Sequence, residues 1–211
     1  MTVKGLHWCT DEPITVGIAS LTQNILCKKH NNELSEVDAY AKTAFETLAA
    51  SMELNDLRNR LRQNHWTIKR FKVDGPLFER WFVKTLVNVT FKGQSGIGRN
   101  SRLTGVPSDE LVHIAFGRQS FEGYGGLHAL AHNGENIELR QGVSITTMLE
   151  DSNVVMARFS FCGFRYLLSL IPEKYSHNDE SVLLHHGHRQ YFQVHDRRGR
   201  KVRSHIVEFN W

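Results

Sequence analysis

The sequence predicts an α+β protein in which an N-terminal helical region is followed by a mainly antiparallel β-sheet or sandwich. Apolar residues at helical spacing occur in the first half of the chain, whereas short segments rich in β-branched and aromatic residues dominate the second half. A stretch over 92–109 is rich in glycine and serine and shows no periodicity. We therefore predict a helical region over residues 1–105 and an antiparallel β region over residues 106–211.

The first two predicted helices lie over 35–51 and 54–64. Ser35 precedes a run of apolar residues at helical spacing and Asp38 follows three residues later, which is the pattern of a capping box. The second segment carries leucines three and four residues apart with arginines between them. This pattern is typical of a helix that faces solvent on one side and a core on the other.

A third helix is predicted over 76–90, after a strand or extended connector over 66–73. Asp74 and Gly75 end the extended segment, and Pro76 suits the first turn of a helix because its missing amide hydrogen has no partner there. The apolar residues of this helix are too dense for a surface position, so we expect it to be the most buried helix. The residues predicted to share one core are Phe45, Leu48, Phe78, Trp81, Phe82 and Leu86.

The second half of the chain is predicted to form short strands joined by turns. Each segment is rich in strand-forming residues and is bounded by turn residues. The clearest hairpin turn lies at 161–164, where Gly163 supplies the positive φ that a tight turn requires, and a second turn lies at 197–200. The predicted strands are 111–116, 127–131, 136–139, 143–149, 154–161, 164–170, 182–186, 191–195 and 202–209.

Composition and charge narrow the functional classes. The longest apolar runs fall far short of the roughly 20 residues that a membrane-spanning helix needs, and no secretory signal is visible, so we expect a cytoplasmic protein without a membrane partner. Three widely separated cysteines agree with a reducing compartment. The 26 lysines and arginines outnumber the 22 aspartates and glutamates, and this net charge of +4 suits an acidic partner.

The cations occur in local clusters along the chain. Such clusters suit the phosphates of a nucleic acid or the acidic surface of a nucleic-acid-associated protein, and an ordinary solvated surface is the alternative interpretation. The candidate nucleic-acid-binding residues are Lys28, Lys29, Lys69, Arg70, Lys72, Arg197, Arg198 and Arg200.

One short motif is compatible with a metal site. Cys27 and His30 are separated by two residues, so both side chains can reach one zinc ion from a single turn, and Asn31 follows directly. Residues 25–50 thereby resemble the second half of HNH endonucleases of the ββα-metal type, in which a Cys-x-x-Cys or Cys-x-x-His pair leads into an asparagine and a helix. The resemblance implies a nuclease-related element that uses zinc or magnesium.

Other parts of the HNH pattern do not occur in the sequence before Cys27. The family has an upstream Cys-x-x-Cys pair and an upstream histidine that acts as general base, whereas this sequence offers Cys9 and His7 there. The alternative is that Cys27 packs as a small apolar side chain and His30 is an exposed imidazole in a turn that enters a helix. No catalytic residue is assigned from the sequence.

A second group of metal-ligating residue types is His185-His186-Gly187-His188. On a strand, His186 and His188 would lie on one side and His185 on the other, so two imidazoles and a carboxylate can share a metal. A polar hairpin loop with half-exposed histidines and a pH-sensitive interface are the other interpretations.

The sequence favours a non-catalytic binding protein of prokaryotic or phage nucleic-acid biology, a decayed HNH relative that acts through a protein or nucleic-acid surface. In this prediction the missing general base carries more weight than the HNH-like asparagine. We expect no cofactor. The alternative is an active metal-dependent HNH-type endonuclease, for which zinc or magnesium would be the cofactor.

Overall fold

The structure is a computed structural model that describes residues 2–4, 12, 14–15, 26–98, 101, 104–132, 143–173 and 181–211. Its helices are α1 (Lys28–Glu33), α2 (Ser35–Leu61), α3 (Gly75–Thr90) and α4 (Asp109–Ala115). Its strands are β1 (Thr2–Lys4), β2 (Ile14–Thr15), β3 (Lys69–Asp74), β4 (Gly96–Ile97), β5 (Gly126–His132), β6 (Val143–Glu150), β7 (Asn153–Phe161), β8 (Phe164–Ser169), β9 (Ser181–His185), β10 (Arg189–His195) and β11 (Lys201–Asn210). The fold therefore has the predicted α+β class, while the strand predicted over 136–139 lies outside the described residues.

The strands form two sheets. The large sheet has eight strands in the order β2-β1-β6-β7-β8-β5-β9, with β4 paired to β7, and the small sheet has the order β10-β11-β3. Among the described strands most pairings are antiparallel, as predicted, but β1 with β6, β4 with β7, and β3 with β11 are parallel. None of the helices in the described residues combines the length and the apolar character that a membrane span requires.

One long helix replaces the two that the sequence predicts over 35–51 and 54–64. Neither glycine nor proline stands between the two predicted helices, so nothing in the backbone ends the first of them. The helix ends where Arg62 adopts a left-handed conformation with φ of 48°. Its buried residues follow spacings of one, three and four positions along the whole length: Val37, Ala41, Ala44, Leu48, Ser51, Met52, Asn55 and Arg58.

The predicted capping box at Ser35 and Asp38 is wrong. α2 follows α1 after the single residue Leu34, whose φ and ψ of −89° and −2° differ from the extended conformation of an ordinary N-cap. The Ser35 hydroxyl donates instead to the carbonyl oxygen of Asn32 at 2.6 Å. The Asp38 carboxylate accepts a hydrogen bond from Lys84, so it connects α2 to α3.

α3 begins as the sequence predicts. Asp74 is the N-cap, its Oδ1 accepts a hydrogen bond from the amide of Leu77 at 2.9 Å, and Pro76 lies in the first turn. The amide of Asp74 donates to the hydroxyl of Tyr40 in α2. Both contacts fix the point at which β3 passes into α3.

The segment 111–116, predicted as a strand, forms the helix α4. Ser108 caps this helix, because its hydroxyl oxygen accepts a hydrogen bond from the amide of Leu111 at 3.4 Å, and two acidic residues follow in the first turn. The buried residues Leu111 and Ile114 are three positions apart, on one face of the helix. A short apolar run is compatible with either element, and here the start signal before the run favours the helix.

Both predicted hairpin turns are present. Cys162 and Gly163 have φ of 47° and 81°, as in a type I′ turn, and join β7 to β8. Gly199 has a φ of 74° in the turn that joins β10 to β11. The local sequence therefore determines these two antiparallel pairings.

The helices and both sheets contribute to one hydrophobic core. Phe78 of α3 is fully buried. The centre of its ring lies 5.7 Å from the ring centres of Phe45 in α2 and Tyr166 in β8. It lies 6.4 Å from the ring centre of Phe209 in β11. Side chains from both predicted regions, 1–105 and 106–211, thus lie in the same core. Of the residues predicted to share it, Leu48, Phe78, Phe82 and Leu86 are buried, and Phe45 and Trp81 are partly buried against them.

Phe78→Ala should lower the free energy of unfolding by about 3–5 kcal/mol, because it leaves a cavity where α3 meets both sheets. Chemical denaturation followed by circular dichroism measures this change. Leu149→Ala is the control, since that side chain is 57% exposed, and it should change the stability by about 0.5 kcal/mol or less. A loss below about 1 kcal/mol for Phe78→Ala would contradict this placement of α3.

Candidate nucleic-acid interface

The small sheet has one apolar face and one cationic face. Successive side chains of a strand point to opposite faces of its sheet. On the face toward the core, the strands bury Phe71, Val73, Phe192, Val194, Val207 and Phe209. We call the opposite face the basic face, and it consists of Arg70, Lys72, Asp74, Arg189, Tyr191, Gln193, His195, Lys201, Arg203, Ile206, Glu208 and Asn210.

The strand register arranges the basic face in five rows. Residues directly opposite one another in neighbouring strands point to the same face. From one strand to the next, the rows are Asp74–Asn210, Lys72–Glu208–Arg189, Arg70–Ile206–Tyr191, Arg203–Gln193 and Lys201–His195. The face therefore holds five permanent cations and two carboxylates, a formal charge of +3 with the histidine neutral.

A β-bulge at Ser204 keeps Arg203 on the basic face. The register between β10 and β11 shifts between Phe192 and Gln193, which leaves Ser204 without an opposite residue. The carbonyl oxygen of Ser204 accepts a hydrogen bond from the buried guanidinium of Arg58 in α2. Without the extra residue, the alternation along β11 would turn Arg203 toward the core.

Glu208 holds two arginines of the basic face. Its Oε1 accepts a hydrogen bond from Arg70 of β3 and forms an ion pair with the Nε of Arg189 in β10 at 3.2 Å. Glu208 is largely buried between them, whereas both arginine side chains are more than half exposed. Within the part of the chain that the structure describes, Lys72 and Lys201 form no ion pair. The face thus has two fixed cations and further cations that remain available to a ligand.

Tyr191 is an exposed aromatic residue among these cations. Its side chain is 51% exposed, and the guanidinium of Arg203 lies 4.9 Å from the centre of its ring. The neighbouring Tyr191, followed by the charge of Glu208, raises the pKa of Arg189. A flat aromatic surface and permanent positive charge therefore lie side by side on one sheet.

The turn after β10 presents further cations. The buried Asp196 accepts hydrogen bonds from the amides of Arg198 and Arg200 at 2.8 Å and from the Nε of Arg200 at 2.9 Å. The Arg200 amide contributes most to lowering the pKa of Asp196, so the carboxylate stays charged. The Asp196 carboxylate orders the turn and offsets the charge of Arg200. Arg197 and Arg198 are exposed.

The structure brings some of the predicted binding residues together and separates others. Arg70 and Lys72 lie on the basic face, and the arginines at 197, 198 and 200 lie in the turn at the start of β11. Lys69 points to the opposite face of β3, where its amine lies 4.9 Å from the centre of the Phe71 ring. Lys28 and Lys29 belong to α1, outside the small sheet.

Four residues that supply the charge and the aromatic ring of the basic face are not among the predicted binding residues: Arg189, Tyr191, Lys201 and Arg203. The signal for Arg189 and Tyr191 in the sequence is the alternation of β10, in which the residues at 189, 191, 193 and 195 face outward. The predicted strand over 191–195 does not include Arg189. Only the pairing of β10 with β11 then shows that these residues share a face with Arg70.

The predicted metal pair is close together in space. The Sγ of Cys27 lies 3.4 Å from the Nδ1 of His30, and both residues are exposed at the start of α1. The ring of His30 also lies edge-on to Phe116 at 5.6 Å. Among the described residues no group of three or more metal-ligating side chains is present, and Cys9 and His7 lie outside those residues.

The predicted histidine motif lies where β9 ends. His185 is the last residue of β9, but His186 takes a left-handed conformation with φ of 43°, so the chain leaves the strand there. The rings of His185 and His186 therefore stack at 4.1 Å instead of pointing to opposite sides. The ring of Trp211, the C-terminal residue, stacks on His186 at 4.2 Å.

A buried carboxylate of α3 anchors this loop. The Oε2 of Glu79 accepts hydrogen bonds from the amide of Leu127 at 2.6 Å and from the Nε2 of His186 at 2.8 Å. Gly126 has a φ of 102°, which favours glycine, and a Cβ atom there would lie 2.5 Å from the same oxygen and displace the pair. Because β10 begins three residues after His186, this contact also positions the start of the basic face.

Two histidines, His128 and His205, are buried. Burial, followed by the neighbouring His185, lowers the pKa of His128 to about 4. His205 of β11 stacks on Phe192 at 4.4 Å, and burial, followed by the charge of Arg58, lowers its pKa to about 4 as well. Both imidazoles are therefore neutral in the folded protein at neutral pH.

The sequence matches no known family model, and neither a curated protein nor a solved structure shows significant similarity to it.

The protein should lose stability as the pH falls from about 6.5 to about 4. In this window the unfolded chain protonates His128 and His205 whereas the folded chain does not, so acid favours unfolding by up to about 1.4 kcal/mol per pH unit for each histidine. Denaturant titrations at several pH values measure this slope.

His205→Phe should make that slope shallower, because the new ring keeps the stacking on Phe192 but cannot be protonated. Gln193→Ala is the control, since Gln193 is exposed on the same sheet and has no titratable group, so the variant should keep the wild-type slope. An unchanged slope in His205→Phe would show that folding does not lower the pKa of His205.

Proposed function

We propose that the protein binds nucleic acid through the basic face, as a non-catalytic binding protein of prokaryotic or phage nucleic-acid biology. The observation that supports this most directly is the register that places five cations and an exposed tyrosine on one side of the small sheet. Lysine and arginine side chains bind phosphates with little dependence on sequence, and releasing the counterions of the nucleic acid supplies much of the affinity.

The arrangement of the cations fits a phosphate chain. Alternate residues of one strand are roughly 6.6–6.8 Å apart and neighbouring strands roughly 4.8 Å apart, so the cations form a band across the sheet. Arg70 and Arg189 are held in place by Glu208 before a ligand arrives. Lys72 and Lys201 are the cations farthest apart along the strands, so they extend the band toward both ends.

The double variant Lys72→Gln/Lys201→Gln should weaken the binding of a single-stranded oligonucleotide about twentyfold at 0.1 M salt. It should also lower the slope of log affinity against log salt concentration by about 1.4, because two phosphate contacts are lost. Fluorescence anisotropy with a labelled oligonucleotide over a series of salt concentrations measures both quantities.

The matched control is Lys42→Gln/Arg60→Gln. It removes the same charge from α2, where both cations pair with acidic residues one helical turn away, and it should keep the wild-type slope. The proposal fails if the wild-type protein binds neither single-stranded nor duplex nucleic acid in a salt-dependent manner. It also fails if the two double variants weaken binding equally.

A metal-dependent HNH-type endonuclease is the second candidate, and the short distance between Cys27 Sγ and His30 Nδ1 favours it. Two ligands alone bind zinc weakly, since a structural zinc site normally has four protein ligands. We expect the protein to purify without stoichiometric zinc and Cys27→Ser to keep the wild-type melting temperature with and without chelator.

Elemental analysis and thermal melts measure these properties. About one zinc ion per chain, together with cleavage of supercoiled plasmid in Mg²⁺, Mn²⁺ or Ni²⁺, would replace the first proposal with the second.

A further inference from the structure

Tyr191 has a position on the basic face that charge alone does not explain. It lies in the row between Arg70 and the edge of the sheet, with cations in the rows on both sides. Tyr191 is 51% exposed. An aromatic ring in the middle of a cationic face contributes no charge to the binding of phosphates.

Tyr191 lies between Arg203 and the edge of the small sheet. Arg203 reaches it from β11, and its guanidinium lies 4.9 Å from the ring centre. β10 is an edge strand of the small sheet, so within the described residues no strand lies on the other side of Tyr191.

A flat ring held in this way is suited to stack on a nucleobase. Stacking needs a base whose face is free, which a single strand offers, whereas the bases inside a duplex are already stacked on one another. A two-stranded ribbon can enter the major groove of DNA, but this sheet has three strands and packs its apolar face on the core, so it presents a broad surface.

We infer that Tyr191 is a stacking platform for an unpaired base and that the ligand of the basic face is single-stranded nucleic acid. This inference rests on the proposed function and names its ligand. The cations on both sides of Tyr191 hold the phosphates that flank the stacked base, and Arg203 keeps the ring in place from the opposite side.

The test compares Tyr191→Ala with Tyr191→Phe on a mixed-sequence oligonucleotide of about 12 nucleotides and on the duplex of the same sequence. Tyr191→Ala should weaken single-strand binding about tenfold and change duplex binding less than about twofold, because the stacked base is lost. Tyr191→Phe keeps the ring and should bind single strands within about twofold of the wild type.

Two controls separate stacking from other effects. Tyr124→Ala removes a tyrosine that is 47% exposed outside the small sheet, and it should bind like the wild type. An oligonucleotide of the same length in which abasic linkers replace the bases should bind the wild type and Tyr191→Ala equally. A thermal melt of each variant tests whether the fold is kept. If the alanine variant unfolds, Tyr191→Thr replaces Tyr191→Ala.

The inference is overturned if Tyr191→Ala binds single strands as well as the wild type does, or if it weakens single-strand and duplex binding equally. These outcomes leave the proposed function intact when the Lys72→Gln/Lys201→Gln variant still loses salt-dependent binding. If the wild-type protein binds neither the single strand nor the duplex, both this inference and the proposed function are overturned.

Discussion

The contacts of Phe78 and Phe82 hold α3 against the two sheets, and the positions of the other elements follow from this packing. Phe78 touches α2, the large sheet and β11. The ring centre of Phe82 lies 4.5 Å from the ring centre of Phe159 in β7. Burying aromatic rings contributes several kcal/mol each, far more than any contact on the surface of the small sheet. The basic face is therefore the outer side of a layer whose inner side is fixed by the core.

α3 also holds in place the loop that leads into the basic face. Glu79 follows Phe78 directly and points to the loop, where it holds the Leu127 amide and His186. Trp211 stacks on His186 and packs so closely on α3 that a Cβ atom at Gly75 would lie 2.4 Å from its ring. The start of β10 and the end of β11 are thus both attached to α3.

The basic face combines mutual repulsion with partial compensation. Five cations on one small sheet repel one another, and Glu208 offsets part of this repulsion by binding Arg70 and Arg189. Both pairs are partly exposed, so they add little to stability but restrict where the guanidinium groups lie. A bound polyanion would relieve the remaining repulsion, which is the physical reason to expect strong salt dependence of binding.

The sequence alone determined the features that depend on neighbouring residues: the α+β class, the start of α3 at Asp74 and Pro76, and the turn at Cys162 and Gly163. Local patterns also located the cations of β3 and of the segment after β10. Only the tertiary structure decided that β3 pairs in parallel with β11, since that pairing joins Arg70 to Ile206 across more than half of the chain. The bulge at Ser204 and the stacking of His186 on Trp211 likewise depend on distant partners. Because the free energy of such contacts appears only when remote segments meet, no local pattern records them.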